Sequence, residues 1–209
     1  MADYFLQKEN EFNKTDDKIR IGLSGNFMRK DIDRPILLKI INENPNILFE
    51  CFGAYETTQS NISGDNYDKE TNSFVELIKN ANNVILHGPV PPKKLAKELH
   101  RMDAFLICYD VQKDQSKGTN YHKVMEYLAI GKVIISNNIS TYINQPDFVQ
   151  MVKERENNEE LPKLLNKIVS NISEYNSILQ LKKRIEFAKS NTYQLLIKNH
   201  ESILLSNKE

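Results

Sequence analysis

Residues 104–136 read AFLICYDVQKDQSKGTNYHKVMEYLAIGKVIIS, and this stretch decides the fold. Ala104–Tyr109 is apolar throughout, as expected of a parallel strand buried on both faces. A polar loop, 110–120, follows. Tyr121–Ile130 carries apolar residues at helical spacing and stops at Gly131, the residue type that most easily takes the left-handed conformation at a helix C-terminus. Val133–Ser136 then reads as the next strand. Strand, loop, helix and strand in this order form a βαβ unit.

The same alternation extends in both directions. Upstream, Lys18–Ser24 is a β-rich run ending at Gly25-Asn26, and Ile32–Asn44 has Ile36, Leu37, Ile40 and Ile41 at helical spacing. Asn44-Pro45 stops that helix, because the residue before proline disfavours the α region. Ile47–Gly53 is a second strand, 54–70 a long polar loop, and Phe74–Asn80 a short helix. Val84–Gly88 is a third strand. Pro89, Pro91 and Pro92 break the chain, and a helix opens at Pro92 or Lys93 and runs to Met102. Downstream, Phe148–Val152 reads as a short sixth strand, and 158–172 and 177–205 as amphipathic helices. Strands alternating with helices predict a Rossmann-like α/β domain: a parallel sheet with helices on both faces, plus a long C-terminal helix. The domain is expected over 18–205, with 1–17 a tail or interdomain linker. Ligands of such sheets bind outside the carboxyl ends of the strands, so the loops at 25–31, 53–70, 88–92, 110–121 and 136–146 are where a site is expected.

Composition narrows the function classes. The chain has 209 residues, with 28 basic and 28 acidic side chains, so it lacks the net positive charge of a protein that grips nucleic acid. No apolar run approaches the ~20 residues of a membrane-spanning helix, and the polar N-terminus lacks the apolar stretch of a secretion signal. Cys51 and Cys108 lie in apolar runs and read as buried, reduced thiols of a cytoplasmic protein. The dinucleotide fingerprint, the P-loop and the nucleophile elbow are all absent.

One segment offers an anion site. Gly118-Thr119-Asn120 precedes the Tyr121–Ile130 helix, whose first-turn amides and dipole suit a phosphate. Lys123 lies in that first turn, where a cation costs the helix about 0.3–1 kcal/mol; a nearby anion would offset this. Glu126 follows one turn later and suits the vicinal hydroxyls of a ribose. On spacing alone, an ordinary helix with a solvated polar face fits equally well. Asp31 and Asp33 open a helix and read as capping residues. His122 and Glu126 share a face but lack a third ligand, so no metal is expected. His87 ends a strand beside the proposed cleft and reads as a core or rim histidine.

The run Lys123–Ser136 resembles the K-x-x-E-Y-x-A-x-G-K-P-V signature of the nucleotide-sugar-binding, C-terminal domain of GT-B glycosyltransferases. Ile21–Asn26 (IGLSGN) looks like the first strand and loop of that domain. Asn83–Pro91 looks like its N-V-x-x-x-G-x-V segment, and Leu95–Tyr109 like L-x-x-x-L-x-x-x-D-x-x-L-x-P-Y. The resemblance covers roughly 18–205. It implies that Glu126 holds the ribose of a nucleoside diphosphate sugar and that Thr119, Asn120 and Tyr121 offer backbone amides to the diphosphate. Gly25 and Asn26 let the first loop approach it, Arg29 or Lys30 supplies a basic clamp, and the backbone near Val90 meets the base. Arg29, Lys30 and Lys123 are then the catalytic candidates, acting electrostatically on the departing diphosphate without a cofactor or a metal.

The match departs from the pattern in places. Gly118 stands where many relatives carry an acidic residue, Val133 where they have proline, and Asn26 where an arginine is usual. A complete GT-B enzyme is nearly twice as long, so the resemblance implies an N-terminal acceptor domain as partner and a chain inactive alone. It also implies hexosyl transfer to a hydroxyl in polysaccharide biosynthesis, in the cytoplasm, peripheral at most to the inner face of the membrane. The alternative is a non-catalytic α/β module that binds a nucleotide or another protein. A flavodoxin-like signalling domain ranks last, for want of an acidic cluster at its first loop.

Overall fold

The computed structural model describes residues 3–6, 18–56, 58, 68–119 and 121–192. Six strands form one sheet: β1 (Ile19–Ser24), β2 (Ile47–Phe52), β3 (Val84–Gly88), β4 (Ala104–Ile107), β5 (Val133–Ser136) and β6 (Gln150–Met151). All neighbours are parallel, in the order β3-β2-β1-β4-β5-β6. The direction of strand order reverses between β1 and β4, which makes the carboxyl ends of these two strands the expected ligand edge. The α/β reading from the alternation of strands and helices is what the structure shows.

Among the described residues, seven α-helices cover the sheet: α1 (Arg34–Glu43), α2 (Lys69–Lys79), α3 (Pro92–Leu99), α4 (His122–Ile130), α5 (Leu161–Ser170), α6 (Ile172–Tyr175) and α7 (Ile178–Ser190). Alternation along the strands sends side chains to two cores. Ile21, Phe49, Cys51, Leu106 and Ile135 pack beneath α1, α2 and α5. Phe52, Phe105, Ile107 and Ile134 pack beneath α3, α4 and α7. Both cysteines are buried and free. Tyr127 and Phe105, both fully buried, stack with ring centroids 4.0 Å apart. This fixes α4 over β4.

Several boundaries differ from those read in the sequence. The second helix begins at Lys69, not Phe74, because Asp68 caps it, accepting from the Thr71 amide at 2.8 Å and the Thr71 hydroxyl at 2.7 Å. The first helix starts only at Arg34, since Ile32 bridges to Tyr109. The helix expected over 158–172 is α5 plus the short α6, and the long last helix is described only as α7; 193–205 lie outside the described residues. Most of 1–17 lies outside them too. Within that segment, residues 3–6 form a 3-10 turn whose Phe5 is buried against α3 and α4, so this piece packs on the domain. Among the described residues no helix is long and apolar enough to cross a membrane.

A polar chain, buried at Glu50, crosses β1, β2 and β3. Arg20 donates to Glu50 at 2.6 Å, and the other Glu50 oxygen lies 2.8 Å from His87 Nε2. Burial pushes the Glu50 pKa up, but the bonds to His87 and Arg20 outweigh it and hold the carboxyl below its usual range. The His87 ring lies flat on Phe52.

Candidate functional site

A small crevice opens between the ends of β1 and β4, lined by Phe27, Ile32 and Cys108 and by the polar Asn26, Tyr109 and Lys123. Lys123 reaches into it from the first turn of α4. Its amine donates to the Ser24 carbonyl and, at 2.6 Å, to the Tyr109 hydroxyl. It makes no salt bridge with any described residue. Gly25 passes close by with φ +148°, and a Cβ there would lie 2.8 Å from the Lys123 amine. Only glycine takes this backbone conformation at no steric cost. Gly53 packs so tightly against the Gly25 carbonyl that a Cβ on it would overlap that oxygen, so the turns after β1 and β2 meet backbone to backbone. Tyr127 completes this end of β1: its hydroxyl accepts from the Ser24 amide at 2.8 Å and bonds the Ser24 hydroxyl at 2.7 Å.

The loop after β1 is set by Asn26, whose side chain accepts from the Met28 amide at 2.9 Å. Arg29 follows and is held by two nitrogens on Asp31. That hydrogen bond raises the guanidinium's pKa despite partial burial. The guanidinium lies 6.0 Å above the centre of the Tyr109 ring, within reach of the crevice. Lys30 is placed elsewhere: it is exposed and pairs with Asp68 at the start of α2, 3.2 Å away. Of the two aspartates read as capping residues, Asp33 does cap α1, while Asp31 serves Arg29 instead.

The loop before α4 is built on Asp114, a residue the sequence reading passed over. It is 3% exposed and accepts from the Ser116 amide (3.0 Å), the Ser116 hydroxyl (2.5 Å), the Gly118 amide (3.0 Å) and the Tyr121 hydroxyl (2.8 Å). Burial works to raise its pKa; these bonds together lower it. The same bond to Asp114, added to burial, pushes the Tyr121 phenol up. An aspartate followed by Ser and Gly at short spacing is a turn signal that was available in the sequence. Gly118 has φ +65°, and a Cβ there would stand 2.8 Å from the Asn138 carbonyl oxygen. The loop thus leaves no room for the acidic side chain common at this position in the resemblance.

The Thr119 amide donates to the Ser116 carbonyl at 3.0 Å, and the Thr119 carbonyl accepts from Thr141. Asn120 lies outside the described residues. Tyr121 is the N-cap of α4 in an extended conformation and supplies no side-chain cap, leaving the first-turn amides without one. Glu126 lies three residues beyond Lys123, on the neighbouring position of the same helix face. It is half-buried and makes no hydrogen bond or salt bridge with any described residue. Burial raises its pKa, only partly countered by Lys123 and His122. Val90 is half-buried against the α3–α4 core. The structure therefore brings together Gly25, Asn26, Arg29, Tyr121 and Lys123, sets Glu126 one turn further along α4, and places Lys30 with α2. Among the described residues, no three His, Cys, Asp or Glu side chains converge as a metal would need.

No protein-family model matches the chain, and no curated protein matches it by sequence. Solved structures match it by shape. HepE from Anabaena, in complex with UDP-glucose, superimposes with a TM-score of 0.66 at 12% identity, over 91% of this chain and 49% of its own. Sucrose-phosphate synthase from Thermosynechococcus elongatus gives a TM-score of 0.66 at 12% identity, over 92% and 47%. A glycosyltransferase from Rickettsia africae gives 0.59 at 16% identity, over 90% and 47%. The chain has the Rossmann-like α/β fold found in GT-B glycosyltransferases, and it spans about half the length of the structures it matches.

Proposed function

We propose that this domain binds the nucleoside diphosphate of a nucleotide sugar at the carboxyl ends of β1 and β4. Together with a second, N-terminal α/β domain it would transfer the sugar to a hydroxyl acceptor. One observation carries the reading: the Lys123 amine stands in the crevice at the point where strand order reverses, in the first turn of a helix, with two neutral oxygens as its hydrogen-bond acceptors. A cation in that position is unfavourable for the helix by about 0.3–1 kcal/mol, and a diphosphate offsets this.

The roles follow from the placement. The first-turn amides of α4, at Tyr121 and beyond, face the diphosphate with Lys123, and Asn120 belongs to the same corner. The Thr119 amide already serves Ser116, so Thr119 contributes mainly by shaping the turn. Gly25 and Asn26 let the phosphates approach the backbone. Glu126, an acceptor without a donor among the described residues, takes the ribose hydroxyls, and the base lies toward Val90. As the bond from sugar to diphosphate oxygen breaks, negative charge grows on the leaving oxygen. Lys123 and Arg29 are preset to stabilise it; Lys30, tied to Asp68, acts from further away. The acceptor hydroxyl and any base that deprotonates it belong to the partner domain. The support for a sugar donor, beyond the crevice, is that a structural neighbour is described with UDP-glucose.

Gly118 favours a second reading, a nucleotide-binding module without turnover, because no carboxylate can stand there to hold the sugar. A thermal-shift panel of UDP, GDP, ADP and their sugars tests the first reading, since a ligand bound only by the folded state raises the melting point. One nucleotide should shift it, and Lys123→Ala should abolish the shift. A flat response to all of them would end the proposal. Shifts of equal size for a nucleotide and its sugar, with no transfer by a chain that includes the second domain, would favour the module.

A further inference from the structure

Tyr109 stands just past the end of β4 and lines the crevice. Two buried side chains fix its backbone. Its amide donates to Asn137 Oδ1 at 3.0 Å, and its carbonyl accepts from Asn158 Nδ2 at 2.9 Å. Its ring lies against that of Tyr121, with centroids 5.0 Å apart. Two cations gather on the same ring, the Lys123 amine 4.8 Å and the Arg29 guanidinium 6.0 Å from its centre. The side chain is thus held in place by its own chain, at the point where the two cations of the crevice meet.

The protons of the Tyr109–Lys123 pair can be counted. An ammonium has three protons and no lone pair, so in their 2.6 Å bond Lys123 is the donor and the Tyr109 oxygen the acceptor. The Tyr109 hydroxyl therefore keeps its own proton to donate, and no described residue accepts it. Lys123 gives a second proton to the Ser24 carbonyl, and its third has no acceptor among the described residues. Two unused donors therefore sit on adjacent atoms. The position that would crowd both is Gly25: a Cβ there would lie 2.8 Å from the amine and 3.2 Å from the hydroxyl. Glycine keeps that space clear.

We propose that the Tyr109 hydroxyl donates directly to an oxygen of the diphosphate, side by side with the Lys123 amine. This rests on the reading of the crevice as a nucleoside diphosphate site and adds to it a neutral donor. A phosphate oxygen accepts several hydrogen bonds and offers none, so it satisfies both donors at once. The bond from a hydroxyl to an anionic oxygen is of the strong, charge-assisted kind. The role is in binding, and the phenol keeps its proton.

The test is calorimetric titration of the full chain with UDP, GDP and ADP. The diphosphate that binds the wild type should bind Tyr109→Phe about tenfold more weakly or worse, through loss of a hydrogen bond to a charged group. A second protein, with 3-fluorotyrosine placed at position 109 alone, separates donation to the ligand from acceptance from the lysine. Fluorine makes the hydroxyl a better donor and a poorer acceptor. In mildly acidic buffer, where the phenol keeps its proton, this protein should bind the diphosphate more tightly than the parent. A hydroxyl that only steadies Lys123 would give weaker binding instead. If no diphosphate binds the wild type, the reading of the crevice falls and this inference falls with it. Binding that Lys123→Ala abolishes but Tyr109→Phe leaves unchanged or strengthens overturns this inference alone, as does weaker binding by the fluorinated protein. Should Tyr109→Phe fail to fold, the fluorinated protein decides.

Discussion

Two carboxylates flank the start of α4 and stand in opposite conditions. Asp114, in the loop before the helix, has four donors and a lowered pKa. Glu126, on the helix itself, is half-buried, has no donor among the described residues and a raised pKa. The first is satisfied by its own chain and holds a turn. The second bears the cost of burial without a hydrogen bond from any described residue, the condition expected of a group whose partner is a ligand. The difference separates an acidic residue that builds a site from one that uses it, a distinction that spacing in the sequence does not make.

The largest effect should come from breaking the satisfied side. Asp114→Ala strands several donors, two of them backbone amides. It should destabilise the protein by about 3 kcal/mol, a fall of roughly 10 °C in melting temperature for a chain of this size. Glu126→Ala, by contrast, should leave the melting temperature within about 2 °C of wild type or raise it. Equal losses in the two variants would erase the contrast. Lys123→Ala comes next, with a loss of about 2 kcal/mol in nucleoside diphosphate affinity measured by calorimetry, the value of a charged hydrogen bond.

Gly25→Ala should cost about 1–2 kcal/mol of stability, from strain at a positive φ, and should weaken nucleotide binding by pushing the Lys123 amine aside. The smallest effect is in pH dependence. Glu126 has a raised folded-state pKa, so its contribution to stability is present below its ordinary value near 4.5 and lost as pH rises through the raised one. Asp114 has a lowered pKa, so its contribution is present above 3.8 and lost as pH falls through the lowered one. Wild-type stability minus that of Glu126→Gln should therefore decline with rising pH just above 4.5. The same difference for Asp114→Asn should climb with rising pH below 3.8. Denaturant titrations across pH check both slopes, and slopes of the same sign would contradict the assignment.

The sheet was legible because AFLICY and VIIS are apolar on both faces and their spacing leaves room for one helix. Gly131 marked the end of α4 in advance, and the structure gives it φ +87° at the C-cap. The start of α2 was hidden because its first turn, Lys69 to Ser73, is polar, so helix periodicity had nothing to detect; the cap at Asp68 was the better signal. The crevice was legible through Lys123, which lines it; Glu126 is three residues further along the same helix face. Tyr109 and Ser24, which fix the Lys123 amine, were not, because that contact spans the sheet and leaves no trace in local spacing. The turn held by Asp114 decides which amides remain free, and it required knowing that Tyr121 folds back over the loop.

The most direct test of the account is calorimetric titration of the wild type and of Glu126→Ala with whichever nucleoside diphosphate raises the melting point most. Loss of charge-assisted hydrogen bonds to the ribose should weaken binding by about 1.5–3 kcal/mol, roughly 10- to 150-fold, while the variant stays as stable as the parent. Equal affinity in the two proteins would show that Glu126 is not in the site and would contradict the assignment of this crevice to a nucleotide.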